Sequence, residues 1–150
     1  MAKKKNKRRI RPLALCVFRR GDKILVARGY DAAIDQTFYR PIGGGINFGE
    51  RGANAVLREV KEELDADVVD IVYLGAFENI FSYEGKAGHE IIMVYDGRLT
   101  DPALNEDDAL LEGEDDGETL YQASWKTFAF FRAENAPPLY PAGLLDLLDS

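Results

Sequence analysis

The chain has 150 residues, 46% hydrophobic and 30% charged, an ordinary globular composition long enough to close one real core. No apolar run approaches the roughly 20 residues that a membrane-spanning helix needs. The net charge of −7 is unevenly spread, with nine Lys or Arg and no acid in residues 1–20, and nine Asp or Glu and no base in residues 101–118. Setting aside the seven cations of residues 1–11 leaves a strongly acidic body, which argues against a general nucleic-acid binder.

Residues 1–11 read as a basic, disordered arm, and 12–150 as a single domain. The apolar run 13–18 ends in Arg19 and Arg20 without a small-residue cleavage pattern, so it is no signal peptide, and a cytoplasmic protein is expected. Its residues are nearly all apolar, as in a strand buried on both faces. Cys16 is the only cysteine, which excludes an internal disulfide and fits a buried strand residue. Gly21 and Asp22 mark a turn, and 24–27 returns as a second strand. A third strand is expected over 38–42, ending near Pro41. After the glycines at 43–45, a helix is predicted over 53–64. A strand over 68–77, an irregular connection over 78–88 and a strand over 90–99 follow. Beyond the acidic loop, strand-like residues occupy 119–131, and a short helix starts near Pro141. Strands interspersed with helices, without regular βαβ repeats, predict an α/β (α+β) fold with a mixed, largely buried sheet.

On the predicted helix, Ala53, Val56, Leu57, Val60 and Leu64 form one stripe, expected to pack on the sheet. Glu59, Glu62 and Glu63 fall within about 100° of arc beside that stripe. Glu59 and Glu63 are a like-charge i, i+4 pair, unfavourable by roughly 0.2–0.5 kcal/mol. Only Arg58, four residues before Glu62, offsets them. An unneutralised cluster of carboxylates without cysteine or paired histidines selects a hard cation, Mg2+ or Mn2+. Mg2+ completes its shell with waters and substrate phosphates, so phosphoryl chemistry is the natural reading. Gly43, Gly44 and Gly45 let backbone approach a ligand closely. No Gly-Lys-Ser/Thr follows, so this is not a P-loop.

From Gly44 the chain reads Gly, five residues, Glu50, seven residues, then Arg58-Glu59-Val60-Lys61-Glu62-Glu63. This resembles the Nudix box, G-x5-E-x7-R-E-U-x-E-E-x-G-U, in which U is a bulky aliphatic residue. Every charged position matches over 23 residues, 44–66. Asp65 stands where the family has Gly, and Ala66 where it has a bulky aliphatic. The resemblance implies a Nudix-type α/β/α sandwich and hydrolysis of a nucleoside diphosphate linked to another moiety. It implies divalent ions held by Glu59, Glu62 and Glu63 with a glycine carbonyl, assigned to Gly44. Arg58 would orient the glutamates, and Glu50 would support them from an outer position. A glutamate would accept the proton of the attacking water: Glu62 on the helix, or Glu112, Glu114 or, preferred among these, Glu118 on the acidic loop.

Substrate-binding candidates are Gly43, Gly45, Arg40, Phe81, Tyr83 and His89, the two aromatics as stacking surfaces for a base. Tyr83 lies 17 residues after Ala66, similar to a signature of dinucleoside polyphosphate hydrolases. The proline expected of ADP-ribose hydrolases is absent between Ala66 and Pro102. A dinucleoside polyphosphate or nucleoside triphosphate-like substrate is therefore favoured. The alternatives are RNA 5′-end or cap pyrophosphate removal with the basic arm as anchor, and a catalytically silent nucleotide-binding module. A silent module should have lost a helix glutamate, and none is lost. A homodimer stays open, since many members of the family are dimers.

Overall fold

The computed structural model describes residues 8–105, 110–115 and 119–149, of which 105, 110–115 and 119–121 are described as backbone alone. Among the described residues, eight strands run in the order β5-β6-β1-β2-β8-β7, with β3 added to β2 and β4 added to β1. They are β1 Arg11–Arg20, β2 Lys23–Asp31, β3 Gln36–Arg40, β4 Ile42–Gly45, β5 Val68–Tyr83, β6 Lys86–Leu99, β7 Leu110–Asp115 and β8 Thr119–Thr127. The helices are α1 Gly52–Leu64, α2 Phe128–Arg132 and α3 Leu144–Asp149, and a 3-10 turn covers Pro102–Asn105. Arg11, placed with the arm on sequence grounds, is the first residue of β1. No helix among the described residues is long and apolar enough to cross a membrane.

The central strand explains the layering. β1 pairs in parallel with β6 and antiparallel with β4, and at its far end turns into β2. Its alternation feeds two cores. Ala14, Cys16 and Phe18 join Val56 and Val60 of α1, Tyr95 and Trp125. Leu13, Leu15 and Val17 join Ile92, Val94, Phe131, Leu144 and Leu148 on the opposite face. With α1 on one side and α2 and α3 on the other, the middle of the mixed sheet is buried between helices, whereas β5 is mostly exposed or half-buried. Val56 and Val60 are fully buried, each contributing about 1.5–3 kcal/mol through removal from water. Burial pushes the Cys16 thiol above its ordinary range, in keeping with a packing role.

Four expectations are corrected. Residues 38–42 do not form one strand: Pro41 separates β3, on β2, from β4, on β1. The connection over 78–88 is not irregular. β5 and β6 form one long hairpin, closed by Glu84 and Gly85, both at positive φ as a tight two-residue turn requires. The stretch 119–131 is a strand only to Thr127, whose hydroxyl accepts from the Phe130 N–H at 3.0 Å and caps α2. On α1, Leu57 is exposed, whereas Ala55 and Glu63 are buried with Val56 and Val60. The inward face is thus turned toward the glutamates, and Ala53 and Leu64 sit only at its margin.

Candidate functional site

The loop before α1 is built around Glu50. Its backbone N–H donates to the Asn47 carbonyl at 2.9 Å, and its Oε1 accepts from the Asn47 N–H at 3.1 Å. The Arg58 guanidinium forks onto the same carboxylate, Nε to Oε2 and Nη2 to Oε1, both at 2.9 Å. Nη2 also reaches the Gly45 carbonyl at 2.8 Å, and Nη1 reaches Glu59 Oε1 at 2.8 Å. The expected contact to Glu62 exists but is looser, at 3.4 Å. Arg58 therefore ties loop, β4 and helix together. Its hydrogen bonds, then that of the Asn47 amide, hold the Glu50 carboxyl down at about 2. Glu50 in turn pushes the guanidinium above its ordinary value.

The three helix glutamates occupy three environments. Glu59 is clamped by Arg58 beneath β4, where a Cβ on Gly44 would stand 2.5 Å from its carboxyl carbon. Glycine permits that approach, since any side chain at 44 would push the Glu59 carboxylate aside. Glu63 is 7% exposed and faces a cleft of about 740 Å3. The Glu62 side chain is 58% exposed. Among the described residues, no three acid, histidine or cysteine side chains converge into a ready-made metal cage. The available donors still suit a hard cation. They are oxygens only, and Mg2+ is commonly held by one or two carboxylates with waters and phosphates completing its shell. Glu59, against the Gly44 backbone, and Glu63, one helical turn further on at the cleft, are carboxylates of that kind.

The cleft gathers several sequence candidates. Arg40, Gly43, Phe81 and Tyr83 line it together with Glu63. Among the described residues the Arg40 side chain makes no hydrogen bond or ion pair, so a cation stands at the cleft wall opposite the box. Gly45 and His89 are not among the lining residues. The Gly45 carbonyl is occupied by Arg58. His89 alternates to the face opposite Glu90, and its Nε2 is buried without a partner among the described residues. Glu118 lies outside the described residues, as do the side chains of Glu112 and Glu114, whose backbone belongs to β7 beside α1.

Sequence reasoning missed two features of the walls. Phe38 on β3 pairs with Gly29 on β2, and Phe81 on β5 pairs with Gly88 on β6. In each pair the ring lies across the glycine, so that an added Cβ would stand 2.3 Å from Phe38 or 2.2 Å from Phe81. Both rings line the cleft. The signal was present as a glycine and a phenylalanine on neighbouring strands, readable only once register is known. Also missed were Asp31 and Glu90, buried carboxylates of the same cleft.

The family model of the NUDIX domain matches residues 7–141. Among solved structures, a NUDIX hydrolase from Nitrosomonas europaea superposes with a TM-score of 0.65 at 15% identity, covering 94% of this chain and 87% of that one. A MutT NUDIX hydrolase from Burkholderia pseudomallei gives 0.58 at 20% identity, covering 93% and 97%. A MutT protein from Bacillus halodurans gives 0.57 at 16%, covering 93% and 80%. At these identities the superpositions speak for the fold, which is the sandwich expected from the box.

Proposed function

The chain belongs to the Nudix family and is a hydrolase of pyrophosphate bonds, and from that premise we propose that it cleaves a nucleoside diphosphate linked to another moiety. Dinucleoside polyphosphates and nucleoside triphosphate-like compounds are the favoured substrates. One observation carries this reading: a single cleft holds Glu63 of the box, Arg40, whose side chain is without a partner among the described residues, and the paired platforms of Phe38 and Phe81. Acid, cation and aromatic walls match the metal-bridged phosphates, the phosphate charge and the base of a nucleotide.

Glu59, Glu63 and the Gly44 carbonyl would hold Mg2+ or Mn2+, with Glu62 at the solvent side. When bound, the ion supplies charge neutralisation at the diphosphate and a water of lowered pKa. Arg58 keeps the Glu59 carboxylate in place through its 2.8 Å contact. Arg40 binds and orients the phosphates from the β3 side. The Glu62 carboxylate, exposed and loosely held, accepts a proton from the attacking water. Glu118 is the competing acceptor, on the segment that follows β7.

The test is a panel of dinucleoside polyphosphates, nucleoside triphosphates, ADP-ribose and nucleotide sugars, with Mg2+ or Mn2+. We expect metal-dependent cleavage of a phosphoric anhydride in the first two classes. Glu62→Gln and Glu63→Gln should each abolish it while circular dichroism stays native. Wild-type turnover in both variants would reject the assignment.

A further inference from the structure

Three buried carboxylates line the cleft, and two are already accounted for. Glu63 belongs to the box. Asp31 Oδ1 accepts from the Ala33 N–H at 3.0 Å and the Glu84 N–H at 3.1 Å, so it serves the backbone. Glu90 is different. It is 8% exposed, yet its two side-chain contacts among the described residues are long: Asn79 Nδ2 to Oε1 at 3.5 Å and Arg11 Nη1 to Oε2 at 3.9 Å. Both exceed the 2.7–3.2 Å of a good N–H···O bond, and the Arg11 side chain is 62% exposed. A buried carboxylate with such loose partners retains its demand for donors.

Register says what those donors would belong to. Glu90 pairs with Asn79, and Gly88 pairs with Phe81, so Phe81, Asn79 and Glu90 share one face of the hairpin. The outer end of the Phe81 ring lies over Gly88, and Glu90 is the next residue along β6 on that face. A base stacked on the Phe81 ring would turn its edge toward Glu90 and Asn79.

We propose that Glu90 is a specificity-determining residue that reads the donor edge of the substrate's base, selecting guanine. Guanine presents N1–H and its 2-amino group side by side, matching the two carboxylate oxygens, while its O6 accepts from the Asn79 amide. Adenine and cytosine each pair one amino group with a ring acceptor. Uracil sets its one N–H between two carbonyls, which a carboxylate repels. The inference rests on the nucleotide reading above, and its test does not need turnover.

Full-length protein without metal is titrated calorimetrically with the 5′-monophosphates of guanosine, inosine and uridine. Inosine lacks only the 2-amino group. We expect guanosine monophosphate to bind about ten-fold more tightly than inosine monophosphate, the scale of one hydrogen bond to a charged acceptor, and uridine monophosphate to bind weakest. Glu90→Gln should bring the guanosine and inosine affinities within about two-fold of each other, and Glu90→Asp should restore part of the gap. Equal affinities in the wild type, no measurable binding, or a gap unchanged in Glu90→Gln would overturn the proposal. Should Glu90→Gln fail to fold, Glu90→Asp decides: its gap should be smaller than that of the wild type, and an unchanged gap would overturn the proposal. Base ranking without any hydrolysis would reject the hydrolase assignment only, and hydrolysis without base ranking would reject the role of Glu90 only.

Discussion

Glu50 and Arg58 show how one pair sets the state of a whole acidic helix. The glutamates, taken as bare charges, repel one another. With the guanidinium forked onto Glu50 and touching Glu59, part of that charge is cancelled and the loop is fixed to the helix. A bidentate carboxylate is the geometry in which arginine exceeds lysine. The same contact sets a pH window. The Glu50 carboxyl is lowered from 4.5 to about 2 in the folded protein, so its contribution to stability is complete above pH 4.5 and lost as pH falls toward 2. Glu50→Gln removes that contribution. Thermal melts of metal-free wild type and Glu50→Gln should therefore differ by a constant amount from pH 5 to 8, and the difference should close between about pH 4.5 and 2. A difference that persists unchanged at pH 2.5 would show that Glu50 acts through packing instead of charge.

Helix α1 also answers for the residue that departs from the family pattern. Asp65 is the C-cap, at φ 50 and ψ 44, and its N–H closes on the Lys61 carbonyl at 3.0 Å. That left-handed conformation explains why a glycine is usual there, and aspartate is among the few other residues that tolerate it. Its ion pair with Lys61, at 3.4 Å, is largely exposed and adds little. Asp65→Gly should thus raise the melting temperature by about 2–4 °C and Asp65→Ala should lower it, both with unaltered turnover, since Asp65 is exposed and does not line the cleft. A drop in stability for Asp65→Gly would assign the cap to the ion pair. The span of α1 and the charged positions of the box were legible because they follow from spacing alone. Its inward face was not, because hydrophobicity favoured Leu57 over a glutamate, and the burial of Glu63 depends on a cleft assembled from other strands. The hairpin over 78–88 was hidden for a related reason: Glu84 and Gly85 signal a turn only once the flanking residues are known to pair.

At the scale of the whole molecule, the cleft exists because two hairpins far apart in sequence meet at their tips. The β2-β3 hairpin supplies one wall and the β5-β6 hairpin the other. Between them, Asp31 accepts the Glu84 N–H, the Tyr83 hydroxyl donates to the Tyr30 carbonyl at 3.2 Å, and the Tyr83 and Phe38 rings meet edge to face at 5.9 Å. Each contact spans about 45 or more residues of chain, so no local pattern announces it. Asp31 is the centre of this clasp, since its one oxygen serves both tips. Asp31→Ala leaves two backbone N–H groups without their acceptor, at a cost of about 1–3 kcal/mol. The wall carrying Phe81 and Glu90 would then lose its anchor at the tip while β6 stays paired with β1 and β5 with β6. Hydrogen exchange should quicken at the Ala33 and Glu84 amides and stay slow in β1, and KM should rise more than kcat falls, because the walls bind the base and the box does the chemistry. Asp31→Asn keeps an acceptor oxygen in place and should recover most of both effects. Equal exchange at Glu84 in wild type and Asp31→Ala would mean that the ring contacts alone hold the two hairpins together.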